Sequence, residues 1–532
     1  MFGPGERLVR RGDYIYGSFV RPERVDGYIV GVNPGDRSDE LGRFAFSARS
    51  VDDAIGGARQ AAPGWSRLPI ADRSAALLKV ATSIEDASES LATLIARETG
   101  KPLWEATEEV HFAARATRTI LTEAEAALQS RVIKSGVSWS DARALGVVGV
   151  ITPFVWPLLV PVMQVVTALV AGNAVVFKPS KFAPGTGQAV AACLDRCRLP
   201  RGVFNLVQGS GAAVGQHMAS HPGFDALVFT GSFATAQQVR RTTADRPELP
   251  VLTQCGGKSA VIILDDADLA RAAYDTVVSA WATAGQRQNS AARAFVHRRV
   301  FDAFCEAVAE RAAGLRIGYA FDDDIFCGPM ISDAGRGRFR RYVQERISAG
   351  ATALLEGGPG TVEGRRGFYA RPAMLWEHSG DALDEEPPGP VLQVYRVDDA
   401  DEAVALHNRQ GFRLSASVFT ARTGAELRSI TDRLDTGALQ LNRGTIGASL
   451  RAAASGRGRS AAGIAGDVAL MHHLVAPRAT LVNRRRSEGG ICVPGAGALP
   501  ESGSVLSKTR ELTEEVAPTE EISHPAVEPT KS

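Results

Sequence analysis

The chain has 532 residues, with 60 Lys and Arg against 59 Asp and Glu, a formal net charge of +1 at pH 7. Apolar residues make up 45% of the chain and charged residues 22%, proportions that are typical of globular proteins. The length allows about two to four domains. The near balance of charge argues against a dedicated nucleic-acid binder, since that function needs concentrated basic charge.

Cysteine usage and the N-terminal residues indicate a cytoplasmic protein. Six cysteines are spread through the chain without the dense spacing of a disulfide framework, which favours a reducing compartment. The first 20 residues are too polar for the apolar core of a signal peptide. The longest apolar run, residues 156–172, falls short of the ~20 residues that span a bilayer and contains two prolines. It predicts a buried helix, and no membrane partner is expected.

Helical and strand-like stretches follow one another along the chain. Apolar residues at helical spacing over residues 50–125 predict a helical layer packed on a sheet. After this layer, short apolar runs alternate with helical stretches, a pattern that predicts a parallel α/β sheet. The predicted strands cover residues 145–151, 173–179, 202–209, 225–232 and 259–265.

A second α/β set is predicted from about Gly285 to Leu441, with strands in residues 368–375, 390–397 and 414–420. The chain is therefore expected to form two α/β lobes. Residues 487–532 contain no aromatic residue and are rich in Pro, Gly, Ser, Thr and Glu. Such a segment buries too little apolar surface to offset the entropy of ordering it, so a disordered acidic tail is predicted.

A series of short motifs extends from Gly12 to about Arg484. In order they are GDYIYGSFV, ETGKP, ALVAGNAVVFKPS, LPRGVFNLVQG, LVFTGS, GGKSAVIILDDADL, AGQR, GPMIS, GFYARPAML, EEPPGPVLQV and LDTGALQLN. In number, order and spacing they resemble the aldehyde dehydrogenase superfamily. The AGQR segment with its following Ala-Arg pair, and TIGAS at 445–449, are similar to the succinylglutamate-semialdehyde dehydrogenase branch.

The resemblance implies an α/β fold with a Rossmann-type NAD(P)-binding domain, a second α/β domain of catalytic type and a small oligomerisation element. We expect a homo-oligomer, either a dimer or a tetramer. The alternative is a hetero-oligomer with an active paralogue. The implied segments are residues 1–128 (N-terminal segment and helical layer), 129–144 (oligomerisation strands), 145–253 (cofactor domain), 254–441 (catalytic-type domain), 442–486 (return to the core and last oligomerisation strand) and 487–532 (tail).

In the superfamily, a cysteine thiolate attacks the aldehyde, an asparagine stabilises the oxyanion and a glutamate activates the hydrolytic water. The matching positions here hold Gln288, Gln254 and Val155, in place of the cysteine, the glutamate and the asparagine respectively. An amide nitrogen is no substitute for a thiolate nucleophile. Glutamine has no ionisable carboxylate for general-base catalysis, and valine donates no hydrogen bond.

Two hypotheses follow from these replacements. In the first, the chain is a catalytically disabled homologue kept as a structural, regulatory or ligand-binding subunit. In the second, it is an active NAD(P)-dependent aldehyde oxidoreductase, converting a semialdehyde to an acid, or a hydrolase, that uses Cys255 or Ser290. If the segment that follows Gln254 is extended, however, Cys255 faces away from the pocket, because neighbouring side chains of a strand point to opposite faces.

The cofactor side of the resemblance is better preserved. The matching residues are Lys178, Ser180, Lys181, Phe229, Thr230, Gly231, Ser232, Gly256 and Glu386. Two departures stand out: Lys181 replaces a glutamate that accepts ribose hydrogen bonds, and Pro388 replaces an aromatic residue near the nicotinamide ring. Lysine has no acceptor for NAD but can pair with the 2′-phosphate of NADP, so both cofactors stay open. The nine histidines show no metal-ligand spacing, and no metal is expected.

Overall fold

A computed structural model describes residues 11–134, 138–257, 259–447, 449, 451–452, 454–463 and 468–482. The predicted tail at 487–532 lies outside these residues. The described chain divides into two compact units, one formed by residues up to 127 together with 144–475, and the other by residues 128–143 together with those from 476 onward.

The structure contains both long helices and many short strands. The strands are β1 (Asp13–Ile15), β2 (Ser18–Val20), β3 (Gly27–Val32), β4 (Glu40–Phe46), β5 (Arg131–Lys134), β6 (Ser138–Ala144), β7 (Val147–Ile151), β8 (Ala174–Lys178), β9 (Phe204–Leu206), β10 (Ala226–Thr230), β11 (Val251–Gln254), β12 (Ser259–Ile263), β13 (Ala291–His297), β14 (Thr352–Pro359), β15 (Ala370–Trp376), β16 (Val391–Val397), β17 (Phe412–Arg413), β18 (Ser415–Phe419), β19 (Ala438–Leu441), β20 (Arg457–Gly458), β21 (Ala461–Ala462) and β22 (Val475–Leu481).

The α-helices are α1 (Arg49–Ser66), α2 (Ile70–Asp86), α3 (Ser88–Thr99), α4 (Leu103–Leu128), α5 (Leu159–Val170), α6 (Pro184–Asp195), α7 (Gln216–Ser220), α8 (Phe233–Thr242), α9 (Leu269–Trp281), α10 (Phe301–Ala313), α11 (Asp333–Ser348), α12 (Ala400–Arg409), α13 (Gly424–Thr431) and α14 (Leu470–His473). A π-helix spans Gly211–Gly215, and short 3-10 helices span Ala282–Gly285 and Asp381–Asp384.

The first large sheet has eight strands in the order β2-β1-β9-β8-β7-β10-β11-β21. Its five central strands, from β9 to β11, are parallel, whereas β1 and β21 pair antiparallel at the two sides. Every residue of β7, β8 and β10 is buried, as expected for strands covered by helices on both faces. The apolar runs at 145–151, 173–179, 202–209 and 225–232 therefore form the strands predicted for them.

The second large sheet has seven strands in the order β14-β15-β16-β13-β12-β18-β19, and only β14 pairs antiparallel. The second α/β set begins earlier than predicted, at Ser259 instead of about Gly285, because β12 pairs with β13 and β18. Strand β13, with the sequence AARAFVH, was not predicted. Its Arg293 and terminal His297 break the apolar run that marks a buried strand, although every residue of β13 is buried.

The predicted helical layer at 50–125 consists of α1 to α4. Helix α1 is tied to the buried helix α5 by Trp65, whose indole N–H donates to the carbonyl of Leu169 at 2.8 Å. On α2, the Arg73 guanidinium donates to the carbonyl of Val170 at 2.9 Å. Helix α5 lies within the apolar run 156–172, where eleven of its twelve residues are buried. The run is thus a core helix, as predicted.

The ETGKP motif, residues 98–102, connects α3 with α6 and with α4. The Glu98 carboxylate accepts hydrogen bonds from the backbone N–H groups of Gly185 and Thr186 at 2.7 Å each, and so caps the N-terminus of α6. Gly100 ends α3 in the left-handed conformation, with φ of 75°, which glycine adopts without strain. Lys101 forms a buried ion pair with Glu109 at 2.5 Å. The motif therefore has a structural role throughout.

Strands β5, β6 and β22 form a separate three-stranded sheet in the order β22-β6-β5. They come from the segments 129–144 and 442–486 in which oligomerisation strands were expected. Val132, Ile133 and Leu481 of this sheet are exposed apolar residues, Leu481 to 81%.

Glu98 gives a test of the packing of α6 on α3. Burial raises the pKa of the Glu98 carboxyl to about 7, above its unfolded value near 4.5. The folded state then binds the proton more tightly, so this group makes stability fall as pH rises from about 4.5 to 7. Between pH 5 and pH 7, we expect the free energy of unfolding to fall by roughly 2–3 kcal/mol less in Glu98→Gln than in the natural protein, as measured by urea unfolding. Glu108→Gln, at an exposed position of α4, is the matched control. Equal pH dependence in both variants would contradict the prediction.

Candidate functional site

A cavity of about 1170 Å³ opens at the carboxyl ends of β7, β8 and β10. This edge of a parallel sheet is where α/β proteins place their ligands. The opposite wall comes from the second sheet, through residues 285–292 ahead of and within β13, and from the first turns of α11. Eleven of the twelve residues proposed from the sequence line this cavity. They are Val155, Lys178, Ser180, Lys181, Phe229, Thr230, Gly231, Ser232, Gly256, Gln288 and Glu386.

Gln254 is the exception, since it does not line the cavity. It ends β11, opposite Thr230 in the parallel register, and its carbonyl accepts a hydrogen bond from the N–H of Gly231 at 3.1 Å. Its neighbour Cys255 packs into the core of the first sheet with an exposed fraction of 1%. Burial raises the pKa of the Cys255 thiol to about 12, so it stays protonated at neutral pH. Cys255 is buried and is not among the residues that line the cavity. The sequence analysis expected Gln254 to face the pocket and Cys255 to face away from it in an extended segment, but β11 ends at Gln254 and neither residue lines the cavity.

Gln288 lies in a turn between the 3-10 helix Ala282–Gly285 and β13. Its backbone carbonyl packs so closely on Gly257 that a Cβ added to that glycine would lie 2.1 Å from the oxygen. The Gln288 Nε2 is buried and has no hydrogen-bond partner among the described residues. The same holds for Ser290 Oγ, which lies on the same cavity wall. This wall therefore carries neutral polar groups, and none of the described cysteines lines the cavity.

Two loops that border the cavity, the one between β7 and α5 and the one before β13, are held together by ion pairs around Trp156, an arrangement that we call the tryptophan bracket. The Lys101 ammonium lies 4.4 Å from the centre of the indole ring and the Arg287 guanidinium 4.7 Å from it. Lys101 pairs with Glu109, and Arg287 pairs with Glu105 at 2.6 Å. Cation–π contacts of this kind are stronger where the cation is desolvated.

Both carboxylates of the tryptophan bracket are buried, and each accepts hydrogen bonds beyond its cation. Glu109 accepts hydrogen bonds from the N–H groups of Leu158 and Leu159, at the start of α5. Glu105 accepts a hydrogen bond from Thr283. Burial opposes ionisation, yet the charges of Arg287 and Lys101 lower the pKa of the Glu105 carboxyl. The bracket thus fixes the residues next to positions 155 and 288.

Sequence reasoning missed the tryptophan bracket. Lys101, Glu105 and Glu109 follow one another at four-residue spacing, which places the two glutamates on one face of α4. That spacing was the available signal. It did not show that this face is buried, nor that Arg287 meets Glu105 from 182 residues further along the chain.

The helix N-termini at the carboxyl edge of the first sheet differ in what they bind. The N-termini of α5 and α6 are occupied by Glu109 and Glu98. The first turn of α8 instead lines the cavity, through Ser232 and Thr235. Ser232 caps this helix by accepting a hydrogen bond from the N–H of Thr235 at 3.3 Å. An N-terminus of this kind attracts anions, so a phosphate group fits at α8.

Two lysines stand beside this anion site. Lys178 is buried and donates to the carbonyl of Pro179 at 2.9 Å. Burial, reinforced by the nearby charge of Lys181, lowers the pKa of Lys178 to about 8. Lys181 itself is exposed and lies over the ring of Phe182 at 5.1 Å. Both cations line the cavity and favour an anionic ligand there.

Glu386 is placed by a close backbone contact. A Cβ added to Gly256 would lie 2.1 Å from Glu386 Oε1, so a larger residue there would displace the glutamate side chain. The segment before Glu386 is held by the buried Arg293 of β13. Its guanidinium donates to the carbonyl oxygens of Ala382 and Glu385 at 3.0 and 2.8 Å. Arg293 is therefore a positioning residue that the sequence analysis did not identify.

Helix α11 adds cavity residues that were not predicted, namely Arg338, Arg341, Tyr342 and Glu345. With Lys178, Lys181 and Arg287, five cationic side chains line the cavity against the two carboxylates Glu345 and Glu386. The chain as a whole is nearly neutral, so the positive charge is concentrated at this site. The signal in the sequence was the arginine-rich segment GRGRFRR that follows GPMIS.

Comparison with known proteins identifies the family. A family model described as the aldehyde dehydrogenase family matches residues 20–479. The chain belongs to the aldehyde dehydrogenase family. The alpha-ketoglutaric semialdehyde dehydrogenase of Bacillus subtilis (strain 168) is 32% identical over 464 residues, which cover 84% of this chain and 93% of that relative. The N-succinylglutamate 5-semialdehyde dehydrogenase of Burkholderia pseudomallei (strain K96243) is 35% identical over 432 residues, covering 80% and 88%.

Solved aldehyde dehydrogenase structures have the same fold. Lactaldehyde dehydrogenase from Escherichia coli superposes with a TM-score of 0.84 at 31% identity, covering 89% of this chain and 99% of that chain. A mutant of aldehyde dehydrogenase C from Pseudomonas syringae, in complex with NAD+ and octanal, gives the same TM-score and identity, covering 89% and 98%. The predicted family and fold class are thus confirmed.

The described residues hold neither a bilayer-spanning helix nor a cluster of metal-binding side chains. No helix in this part of the chain has the length and apolar character that a bilayer span requires. No group of three or more His, Cys, Asp or Glu side chains is placed to hold a metal ion within the same residues.

The tryptophan bracket can be tested by removing one charge. We expect Arg287→Met to lower the free energy of unfolding by about 3–5 kcal/mol, because it leaves the buried Glu105 carboxylate without its partner. The Arg118–Glu85 pair has the same 2.6 Å separation but is about half exposed on both sides. Arg118→Met is therefore the matched control, with an expected loss below about 1 kcal/mol. Urea unfolding measures both. If the two losses are equal, the bracket does not stabilise the fold.

Proposed function

We propose that this aldehyde dehydrogenase homologue does not oxidise aldehydes and acts as a ligand-binding, regulatory subunit. The observation that carries the proposal is Gln288 on the cavity wall, at the position that corresponds to the nucleophilic cysteine of the family. Covalent capture of an aldehyde needs a nucleophile with an available electron pair, and the amide nitrogen has none to offer. A hydride acceptor then has no covalent adduct from which to take hydride.

The two groups that could replace the nucleophile are poorly suited. Cys255 is buried in the core as a protonated thiol, a state that is inert in nucleophilic attack. Ser290 lies on the cavity wall, but its hydroxyl has no hydrogen-bond partner among the described residues and hence no general base beside it. Val155 contributes no oxyanion hydrogen bond.

The part of the cavity at the carboxyl ends of β8 and β10, which we call the cofactor groove, by contrast contains residues that suit a dinucleotide. The first turn of α8 suits the pyrophosphate, Glu386 suits the nicotinamide ribose, and Lys178 suits the adenosine ribose. With Lys181 in place of an acceptor, we propose that the groove binds NADP in preference to NAD. Bound there, the nicotinamide would be an acceptor of hydride.

We further propose that the protein assembles through the sheet of β5, β6 and β22, whose Val132, Ile133 and Leu481 expose apolar surface. A homo-dimer or homo-tetramer is the first expectation, and a mixed particle with an active family member is the alternative. The five cysteines within the described residues are all free and buried, which fits a reducing compartment such as the cytoplasm.

Loss of catalysis is tested by assaying the natural protein beside a restored variant. Purified protein is mixed with NAD or NADP and with N-succinylglutamate semialdehyde, α-ketoglutaric semialdehyde or octanal, and the reduced nicotinamide is followed by absorbance. We expect no turnover from the natural chain. We expect Gln288→Cys and the triple variant Val155→Asn, Gln254→Glu, Gln288→Cys both to give a stoichiometric burst, because the bracket and the cavity are retained. Repeated turnover is expected of neither, since position 254 does not line the cavity and a glutamate there is not placed to activate the hydrolytic water.

Gln288→Ser is the control for the restored variant, since serine fits the site but lacks a thiolate. Turnover by the natural protein at a rate typical of enzymes, about 1 s⁻¹ or faster, would overturn the proposal. If a folded triple variant forms no reduced nicotinamide, parts of the site other than these three positions have also changed.

Cofactor preference is tested by calorimetric titration with NAD and NADP. We expect NADP to bind at least about tenfold more tightly, and Lys181→Glu to reverse the order, because it removes a cation and adds acceptor oxygens. NADP affinity should fall as pH rises from about 7 to 9.5, since Lys178, with its pKa near 8, loses its charge in that range. Lys79→Glu, an equal charge change at an exposed site on α2, is the control. Preference for NAD in the natural protein would refute the assignment.

A further inference from the structure

The backbone changes hand immediately before the loop that carries Gln288. Thr283, Ala284 and Gly285 have φ of 55°, 51° and 65°, and we call these three residues the left-handed turn. In the described part of the chain, six residues other than glycine have such a φ, and only Thr283 and Ala284 are adjacent. L-residues enter this region as single residues, because Cβ crowds the following carbonyl oxygen. Two in succession make the turn strained.

Thr283 contributes most of this strain. Its Cβ carries two heavy atoms, and a β-branched residue in the left-handed region is an outlier. Ala284 has the smallest side chain that includes a Cβ, whereas Gly285 adopts this conformation freely. A strained backbone persists only where the surrounding contacts outweigh its cost. The contacts of Thr283 should therefore include the ones that hold the turn.

The Thr283 hydroxyl is held by the tryptophan bracket. It donates a hydrogen bond to the buried Glu105 carboxylate and accepts one from Arg287 Nε at 2.8 Å. Both partners are ionised, and hydrogen bonds to ionised groups are the strong ones. Their combined contribution is of the same order as the cost of holding two L-residues in the left-handed region. Loss of the hydroxyl is therefore enough to shift the balance.

The left-handed turn sets the direction of the loop that follows it. Gly285 packs so closely on the carbonyl of Gly389 that a Cβ at position 285 would clash with it. Two residues after Gln286, the carbonyl of Gln288 packs in the same way on Gly257. Right-handed dihedrals in the turn would send the chain in another direction and break both contacts. The position of Gln288 in the cavity wall thus depends on the hand of the turn.

We propose that the left-handed turn is a conformational latch, which the Thr283 hydroxyl keeps closed and which decides whether position 288 lies in the cavity wall. In the closed state the Gln288 Nε2 is buried, as the structure shows. In the open state the turn relaxes to right-handed dihedrals and residues 286–290 leave the wall. The latch is a property of the backbone, and it does not depend on the proposed loss of catalysis.

Hydrogen exchange of the full-length protein, followed by mass spectrometry of peptides that cover residues 285–290, tests the latch. We expect Thr283→Val, which keeps the branched shape and removes the hydroxyl, to exchange these amides at least about tenfold faster than the natural protein. Thr283→Ser keeps the hydroxyl and should stay within about threefold of the natural rate. Each change leaves Glu105 and Arg287 paired with each other.

Thr283→Gly separates a latch from an ordinary hydrogen bond. It removes the hydroxyl and the strain together, so exchange should stay within about threefold of the natural rate. If the hydroxyl opposed no strain, glycine would loosen the loop at least as much as valine. Exchange in Thr283→Gly as fast as in Thr283→Val, or a natural rate in Thr283→Val, overturns the latch.

Two further variants complete the exchange experiment. Thr276→Val is the matched control, because Thr276 is buried in α9 and its hydroxyl has no partner among the described residues. It should leave exchange over residues 285–290 unchanged. Ala284→Gly relieves strain without touching the hydroxyl, and it should slow exchange by about threefold or more. Unchanged or faster exchange in Ala284→Gly contradicts the strain, even if Thr283→Val does not fold.

Thiol labelling shows whether position 288 leaves the wall. The cysteine of Gln288→Cys is alkylated with iodoacetamide, and peptide mapping separates it from the six natural cysteines. We expect labelling at 288 to be at least about tenfold faster when Thr283→Val is added, and unchanged when Thr283→Gly is added, because reaction requires an accessible thiolate. Circular dichroism and thermal unfolding identify any variant that fails to fold. Equal labelling rates with and without Thr283→Val, in folded proteins, overturn the release of the loop.

Discussion

The tryptophan bracket is the constraint on which the rest of the site depends. Trp156 lies between two cations, and each cation is neutralised by a buried glutamate of the same helix, α4. A charge buried in this way is tolerated only with its partner in place, so the loop before α5 and the loop before β13 are coupled to α4 and to each other. These two loops carry positions 155 and 288. The geometry of an aldehyde dehydrogenase site is therefore maintained by residues other than those that do chemistry in the family.

Because the residues that hold the site together differ from those that do chemistry in the family, the site can change its role without loss of the fold. Val155, Gln254 and Gln288 take no part in the bracket, and their replacement leaves its ion pairs intact. Three groups that take part in proton or acyl transfer in the family are represented by one apolar and two amide side chains. The result is a cavity lined by five cationic and two anionic side chains, with no thiol among the described residues that line it.

The first sheet and its helices were predicted well because their sequences are locally unambiguous. β7 and β8 are short apolar runs between helical stretches, and α5 is an apolar run too short for a membrane. β13 was missed because Arg293 interrupts its apolar pattern, and only the fold shows that this arginine donates hydrogen bonds to the carbonyl oxygens of Ala382 and Glu385 and to Gln410. Most of the candidate site was found through motif positions. Arg338, Arg341 and the tryptophan bracket were not, because their role comes from contacts between distant segments.

The sequence by itself determined the family, the α/β architecture and the identity of the residues at the catalytic positions, since these depend on residue types at fixed spacing. It also determined that Gln288 has no nucleophilic atom, a matter of covalent chemistry. Only the tertiary structure decided that Cys255 is enclosed in the core, that Gln254 lies off the cavity wall and that Gln288 Nε2 and Ser290 Oγ are buried without a hydrogen-bond partner among the described residues. Burial and hydrogen-bond pairing are properties of segments far apart in the chain brought into contact, and no local pattern of residues encodes them.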